Sequence, residues 1–108
     1  SVYKIHLLTQ TDLTFCLTTG GHNAGVVNSP GPGTKRSYQL ATRATDTSYM
    51  DPDTWAQTAP AHEGSWWPAL ADWLQQHSSQ RVAPPPTGNP ARGYPALEDA
   101  PGQFVLVS

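Results

Sequence analysis

The sequence has little of what several common classes of protein require. It contains a single cysteine, which cannot form an internal disulfide or a thiolate zinc site. Charged residues make up only 13% of the chain and the formal net charge is −2, so the basic surface that binds nucleic acids or anionic lipids is missing. The longest strictly apolar run, Phe104 to Val107, is far shorter than a membrane span. We therefore expect no nucleic-acid partner and no membrane-spanning helix.

Glycine, proline and large aromatic residues are what the chain does contain. Its 108 residues include nine Gly, eleven Pro, four Trp and four Tyr. Aromatic side chains bury large areas, whereas Gly and Pro favour turns and loops. The composition predicts a folded, loop-rich segment with a small core. Because Ser1 begins what reads as mid-domain sequence, we expect a fragment of a larger catalytic domain that continues upstream of Ser1.

Residues 1–50 form the first of three predicted segments. Apolar and polar residues alternate from Leu13 to Thr18, which predicts a core strand. The spacing of the apolar residues from Val2 to Leu8 fits a short helix, and Arg36 to Thr42 is a candidate second strand.

Two helices are predicted in residues 51–82. Asp51-Pro52 is a typical helix start, and the second helix extends from Ser65 to about His77. Its apolar stripe consists of Trp66, Leu70, Trp73 and Leu74. Residues 83–108 then read as a proline-rich extended arm, which ends in a closing strand over residues 103–107.

His22 is the candidate catalytic residue. It follows the predicted strand directly, on the turn that Gly20 and Gly21 begin. In open α/β sheets, catalytic groups collect beyond the carboxyl ends of the strands, and histidine suits a general base at neutral pH. The alternative is a loop histidine that bonds local backbone, and three other histidines compete for any catalytic role.

Other conspicuous residues have a structural interpretation that we favour over the functional one. Cys16 lacks the small-residue elbow that exposes a nucleophile, so we expect a buried, inert thiol. The Trp66-Trp67 pair and Trp73 could line an apolar substrate channel, but a helix packed on a core explains them as well. Lys35-Arg36 could meet phosphates of a nucleotide-bearing substrate or be a solvated basic pair. Pro84-Pro85-Pro86 fits a stiff surface arm better than a ligand for an aromatic groove.

Several segments together resemble one family. Val2-Tyr3-Lys4, the stretch from Leu13 to Gly25, Gly64-Ser65-Trp66-Trp67-Pro68 and Ala100 to Val105 occur in this order. They are similar to the C-terminal end of polyhydroxyalkanoate (poly-3-hydroxybutyrate) synthases. The resemblance implies an α/β fold, the C-terminal part of an α/β-hydrolase-type domain. Its parts would be the last core strand of a parallel sheet, the histidine loop, two C-terminal helices and the proline-rich arm.

The resemblance also implies an activity and a role for His22. The family polymerises (R)-3-hydroxyacyl-CoA into a polyester stored in cytoplasmic granules and releases CoA, without a cofactor or metal. Within Gly21-His22-Asn23-Ala24-Gly25, His22 matches the triad histidine, although Asn23 replaces the aliphatic residue typical of the family. The nucleophilic cysteine, in a Gly-x-Cys-x-Gly elbow, and the aspartate would both precede Ser1. The chain alone would then be inactive.

Two other functions remain open at this point. The tryptophan-rich helices and the proline arm could form a non-catalytic module that docks a partner protein or a granule surface. A related polyester depolymerase or hydrolase could carry the same histidine loop. The partners implied by the resemblance are 3-hydroxyacyl-CoA, the growing polyester and the upstream part of the catalytic domain. A homodimer is a further open assembly.

Overall fold

The structure is a computed structural model that describes residues 2–107. Ser1, the first residue of the first predicted segment, and Ser108, the last residue of the last one, lie outside the described residues. The chain divides into two compact units, Ser1–Ser78 and Ser79–Ser108. Each is described by itself below.

A three-stranded antiparallel sheet forms the centre of the first unit. The strands β1 (Leu13–Thr18), β2 (Ser37–Arg43) and β3 (Ala61–Glu63) lie in the order of the chain. Cys16 of β1 pairs with Leu40 of β2. The predicted bounds of β1 are confirmed, and β2 is displaced by one residue from its prediction. The three-residue β3 was not anticipated.

The sheet differs in one respect from the expectation. The resemblance implied that β1 ends a parallel sheet, but within residues 2–107 β1 pairs with β2 alone, and this pairing is antiparallel. Parallel strands need a long crossover, whereas antiparallel strands can be joined by a loop that returns directly. The loop that carries His22 makes such a return. The small sheet with its helices is compatible with a fragment of an α/β fold.

Three helices flank the sheet. A 3₁₀ turn (Val2–Lys4) leads into α1 (Ile5–Leu8), and the two predicted later helices are α2 (Pro52–Thr58) and α3 (Trp67–Gln76). The Asp51 side chain accepts hydrogen bonds from the backbone N–H groups of Asp53 and Thr54, both at 3.0 Å. The capping predicted for the start of α2 is therefore confirmed.

An aromatic cluster covers one face of the sheet. Phe15 makes edge-on contacts with Tyr3 and Trp55, both at a ring-centroid distance of 5.2 Å. The His6 ring stacks on Tyr3 at 4.0 Å. Trp55 and His6 are only 6% and 5% exposed, so the small core lies here, between β1, α1 and α2. Arg43 also joins these elements, because its guanidinium donates to the His6 carbonyl oxygen at 2.7 Å.

Helix α3 lies on the opposite face. Trp66, Leu70 and Trp73 line a cavity of about 220 Å³ that Cys16 and Leu40 close from the sheet. This places most of the predicted apolar stripe against the sheet, although Leu70, Trp73 and Leu74 are 37%, 39% and 49% exposed. The helix is thus only half covered by the described residues.

The second unit contains little regular structure, as the proline-rich composition predicted. It has two 3₁₀ helices, Pro90–Arg92 and Phe104–Leu106, and one isolated bridge between Asn89 and Tyr94. The prediction of a closing strand over residues 103–107 is wrong. A strand needs a second strand to accept and donate its backbone hydrogen bonds. The backbone of residues 103–107 instead forms hydrogen bonds within its own 3₁₀ turn, and Phe104 is 89% exposed. Among residues 2–107, no helix has the length and apolar character to cross a membrane.

Candidate functional site

His22 lies on a compact turn directly after β1. The chain leaves the strand through Gly20 and Gly21, whose φ angles of 108° and 79° are in the region that favours glycine. The Asn23 carbonyl oxygen then accepts hydrogen bonds from the N–H groups of Val26 (3.1 Å) and Val27 (2.9 Å). We call residues 20–28 the histidine turn. It presents the His22 side chain to solvent.

Gly25 anchors the histidine turn on the end of β1. It is buried, and its N–H donates to the Gly21 carbonyl oxygen at 3.3 Å. A Cβ atom at Gly25 would lie 2.6 Å from Thr18 Oγ1 and 2.8 Å from the Thr19 carbonyl oxygen. Because one of these atoms is backbone, a larger side chain cannot fit unless the turn moves.

The segment Gly64-Ser65-Trp66-Trp67-Pro68 holds the other end of the histidine turn. The indole N–H groups of Trp66 and Trp67 both donate to the Val26 carbonyl oxygen, each at 2.9 Å. The buried Ser65 hydroxyl donates to the Asn28 carbonyl oxygen. The histidine turn is therefore in direct contact with the segment Gly64–Pro68, although about 40 residues separate them.

This contact is what reasoning from the sequence missed. At the start of α3, the Ser65 Oγ accepts a hydrogen bond from the nearby Trp67 N–H at 3.1 Å. Its bond to Asn28 and the two indole bonds to Val26 have no local signal, because no periodicity or capping rule links such distant residues. The only available signal was that both motifs occur together at this spacing.

The other three histidines have structural surroundings. His6 stacks on Tyr3, His62 on Tyr38 and His77 on Trp73, at ring-centroid distances of 4.0, 5.0 and 4.0 Å. His6 Nδ1 also hydrogen-bonds with the Tyr3 carbonyl oxygen in the preceding 3₁₀ turn, and His77 Nδ1 with the Trp73 carbonyl oxygen in α3. Within residues 2–107, the His22 imidazole makes no hydrogen bond and no aromatic stack. His62 and His77 are exposed as well, but of the four histidines only His22 lies on the turn that directly follows β1.

Cys16 has the surroundings of a packed thiol. Its side chain lines the apolar cavity beneath α3, together with Trp73 and Leu40. Burial raises the pKa of the Cys16 thiol above its ordinary value, so the reactive thiolate is disfavoured at neutral pH. The thiol is half-buried and not fully buried as expected, but its apolar surroundings support the prediction that Cys16 is not a nucleophile.

The Lys35-Arg36 pair separates in the structure. Lys35 is exposed, whereas the half-buried Arg36 side chain crosses Gly20, where an added Cβ atom would lie only 1.8 Å from Arg36 Nη1. Arg36 thus lies beside the histidine turn and Lys35 does not take part in it. Among the described residues, no three His, Cys, Asp or Glu side chains come together as the ligands of a metal ion would.

Comparison with known proteins gives a consistent result. No family model matches the chain. It is 40% identical over 106 residues to the poly(3-hydroxyalkanoate) polymerase subunit PhaC of Cupriavidus necator, which is 97% of this chain and 17% of that protein. It is 39% identical over 92 residues to the PhaC subunit of Rhizobium etli, which is 85% of this chain and 13% of that protein.

A third relative extends the match almost to the full chain. Poly(3-hydroxyalkanoate) polymerase 2 of Ectopseudomonas oleovorans is 36% identical over 107 residues, 98% of this chain and 18% of that protein. The chain therefore spans less than a fifth of the length of these curated relatives. The match includes both the histidine turn and the segment that binds it. By this similarity, the chain belongs to the poly(3-hydroxyalkanoate) polymerase family, and it corresponds to one section of the length of these relatives.

Proposed function

We propose that the protein containing this chain is an acyltransferase that polymerises (R)-3-hydroxyacyl-CoA and releases CoA, with His22 as its general base. The observation that carries the proposal is the histidine turn. It exposes one imidazole at the end of a strand and fixes the surrounding backbone through Gly25, Ser65, Trp66 and Trp67. An exposed side chain on a fixed backbone suits a group that must meet a reacting proton.

Two proton transfers follow from this role. In acylation, His22 takes the proton of a cysteine thiol outside this chain, the sulfur attacks the thioester carbonyl, and CoA leaves with that proton as free thiol. In elongation, His22 takes the proton from the hydroxyl of an acyl group, and the oxygen attacks the enzyme-bound thioester. An ester bond forms, the carbon–sulfur bond breaks, and the proton returns to the cysteine.

The chain supplies only the base in this scheme. Cys16 lies in an apolar cavity that raises its thiol pKa, so we assign the nucleophile, and the acid that orients His22, to the part of the catalytic domain upstream of Ser1. We expect the 108-residue chain alone to release no CoA from 3-hydroxybutyryl-CoA. We also expect the whole protein to reside on polyester granules in the cytoplasm.

Replacing His22 in the whole protein tests the proposal. General-base catalysis contributes about 10²–10⁴-fold, so His22→Gln should lower the rate of CoA release by at least about a hundredfold. His77→Gln is the matched control, because that ring stacks on Trp73 at the C-terminal end of α3. If His22→Gln retained more than a third of the activity in a folded protein, the proposal would be wrong and a docking module would be favoured. Hydrolysis of preformed polyester without CoA release would instead favour the depolymerase.

A further inference from the structure

The segment Gly64–Pro68, which we call the tryptophan clamp, contributes three donors to two carbonyl groups of the histidine turn. Two indole N–H groups reach the Val26 oxygen, and the Ser65 hydroxyl reaches the Asn28 oxygen. The clamp is itself fixed to the sheet, since the Gly64 N–H donates to the Arg36 carbonyl oxygen at 2.6 Å. The histidine turn is thus connected through the clamp to Arg36, the residue that directly precedes β2.

The clamp completes a support that β1 begins. Gly25 seats the middle of the turn against Thr18 and Thr19 at the end of the strand. The clamp holds the residues that follow, because it binds the carbonyl oxygens of Val26 and Asn28. His22 lies between the glycines that leave β1 and these anchored residues. Its backbone position therefore depends on both supports.

The use of tryptophan at both positions points to the indole N–H rather than to ring packing alone. Trp67 is 36% exposed and Trp66 is only half-buried. A phenylalanine would supply a comparable apolar ring, but it has no donor. Both nitrogens nevertheless lie 2.9 Å from one oxygen, which is an ordinary hydrogen-bond length.

We propose that Ser65, Trp66 and Trp67 are positioning residues for His22, which set where the general base meets the reacting proton. The inference rests on the proposed role of His22. These side chains act through the backbone of residues 26–28, and they need not touch the substrate. Since a displacement of about 1 Å can cost about a hundredfold in rate, loss of the clamp should lower kcat while KM changes little.

The shared acceptor makes the proposal specific. Trp66→Phe or Trp67→Phe alone leaves the Val26 oxygen with one indole donor, so each single variant should keep kcat within about threefold of the parent. The double variant leaves that oxygen without an indole donor. The kcat of the double variant should therefore fall by at least about tenfold, which is more than the product of the two single effects. Trp73→Phe is the matched control on α3, because Trp73 lies over the sheet cavity and not on the turn.

The experiment uses the whole protein and two independent measurements. Initial rates of CoA release from 3-hydroxybutyryl-CoA give kcat and KM, and hydrogen exchange reports the protection of the Val26 and Val27 amides. We expect the double variant to show a lower kcat, an unchanged KM and faster exchange, and Trp73→Phe to show none of these. Faster exchange with unchanged kcat would overturn the positioning role, and unchanged exchange would overturn the clamp itself.

One further variant, Ser65→Ala, and the His22→Gln variant described above keep the outcome decisive. If the double variant does not fold, Ser65→Ala replaces it. That variant keeps both indoles and loses the bond to Asn28 together with the contact from the Trp67 N–H, so the exchange of the α3 amides is measured beside that of the turn amides. A lower kcat at unchanged KM then supports the proposal, and an unchanged kcat contradicts it. Failure of the proposed function is recognised separately: His22→Gln would be active, whereas the exchange of the turn amides would still respond to loss of the clamp.

Discussion

Gly25 lies so close to Thr18 that a Cβ atom on the glycine would be 2.6 Å from the threonine hydroxyl. The Thr19 carbonyl oxygen, at 2.8 Å from the same position, closes the remaining space. The turn that carries His22 can therefore adopt its position only with glycine here.

Gly25→Ala should consequently displace the histidine turn. In the whole protein, we expect kcat for CoA release to fall by about tenfold or more, because the backbone atoms it meets cannot rotate away. Gly31→Ala is the control: a Cβ atom there meets nothing within 4 Å, and its φ is not positive. Equal activity of the two variants would show that the turn tolerates the displacement.

Cys16→Ala should leave catalysis nearly unchanged. The thiol lines an apolar cavity and burial raises its pKa, so it contributes packing and not a nucleophile. We expect CoA release within about threefold of the parent, far from the hundredfold or larger loss typical of removing a covalent nucleophile. The rate of CoA release measures this directly. A near-complete loss in a folded variant would make Cys16 the nucleophile and contradict our assignment.

Trp73→Ala should destabilise α3 locally. The ring is 39% exposed and therefore only partly buried. We expect its loss to reduce the stability by about 1–3 kcal/mol, less than the ~3–5 kcal/mol typical of replacing a fully buried tryptophan by alanine. The measurement is the hydrogen-exchange protection of the α3 amides in the whole protein. Gln75→Ala, at an exposed position of the same helix, should have almost no effect. If both variants exchanged alike, the Trp73 ring would not hold α3 on the sheet.

The start of α2 should lose stability in acid. Hydrogen bonds from the Thr54 hydroxyl, and then from the Thr54 N–H, lower the pKa of Asp51 below its ordinary value. Because the pKa of Asp51 is lower in the folded state, the ionised carboxylate stabilises the fold at pH values above its ordinary pKa of about 4. This stabilisation disappears as the pH falls through the lower pKa of the folded state. Asp51→Ala should thus reduce the protection of α2 amides at pH 7, and its difference from the parent should shrink as the pH falls below about 4.

Asp53→Ala serves as the control for this pH dependence. Asp53 lies in the first turn of α2, but its backbone N–H donates to Asp51 and its carboxylate does not cap the helix. Its replacement should reduce protection less than that of Asp51. If the difference in α2 protection between the parent and Asp51→Ala were the same at every pH, the capping role of the carboxylate would be contradicted.

Local rules predicted the local elements of this chain. Alternation placed β1 from Leu13 to Thr18, and Asp51-Pro52 placed the start of α2. The apolar run from Phe104 to Val107 misled the same rules, because an apolar run becomes a strand only where another strand accepts its hydrogen bonds. The three-residue β3 is too short to show any alternation.

The site was predictable in part for a similar reason. The position of His22 after a strand and two glycines is visible in the sequence, but its support is not. The bonds from Ser65, Trp66 and Trp67 span 37 to 41 residues, and they arise from the way that the loop and α3 fold over the same end of the sheet. Only three-dimensional packing shows them.

The close support of the histidine turn has a consequence for recombination between related polymerases. Every residue that we have assigned to its support, from Thr18 to Trp67, lies in one continuous stretch of the first unit. A chimera joined on the N-terminal side of β1 would inherit the turn together with its clamp. A crossover between Asn28 and Gly64 would combine the turn of one parent with the clamp of another, and the geometry of the base would then depend on how well two separately evolved halves match.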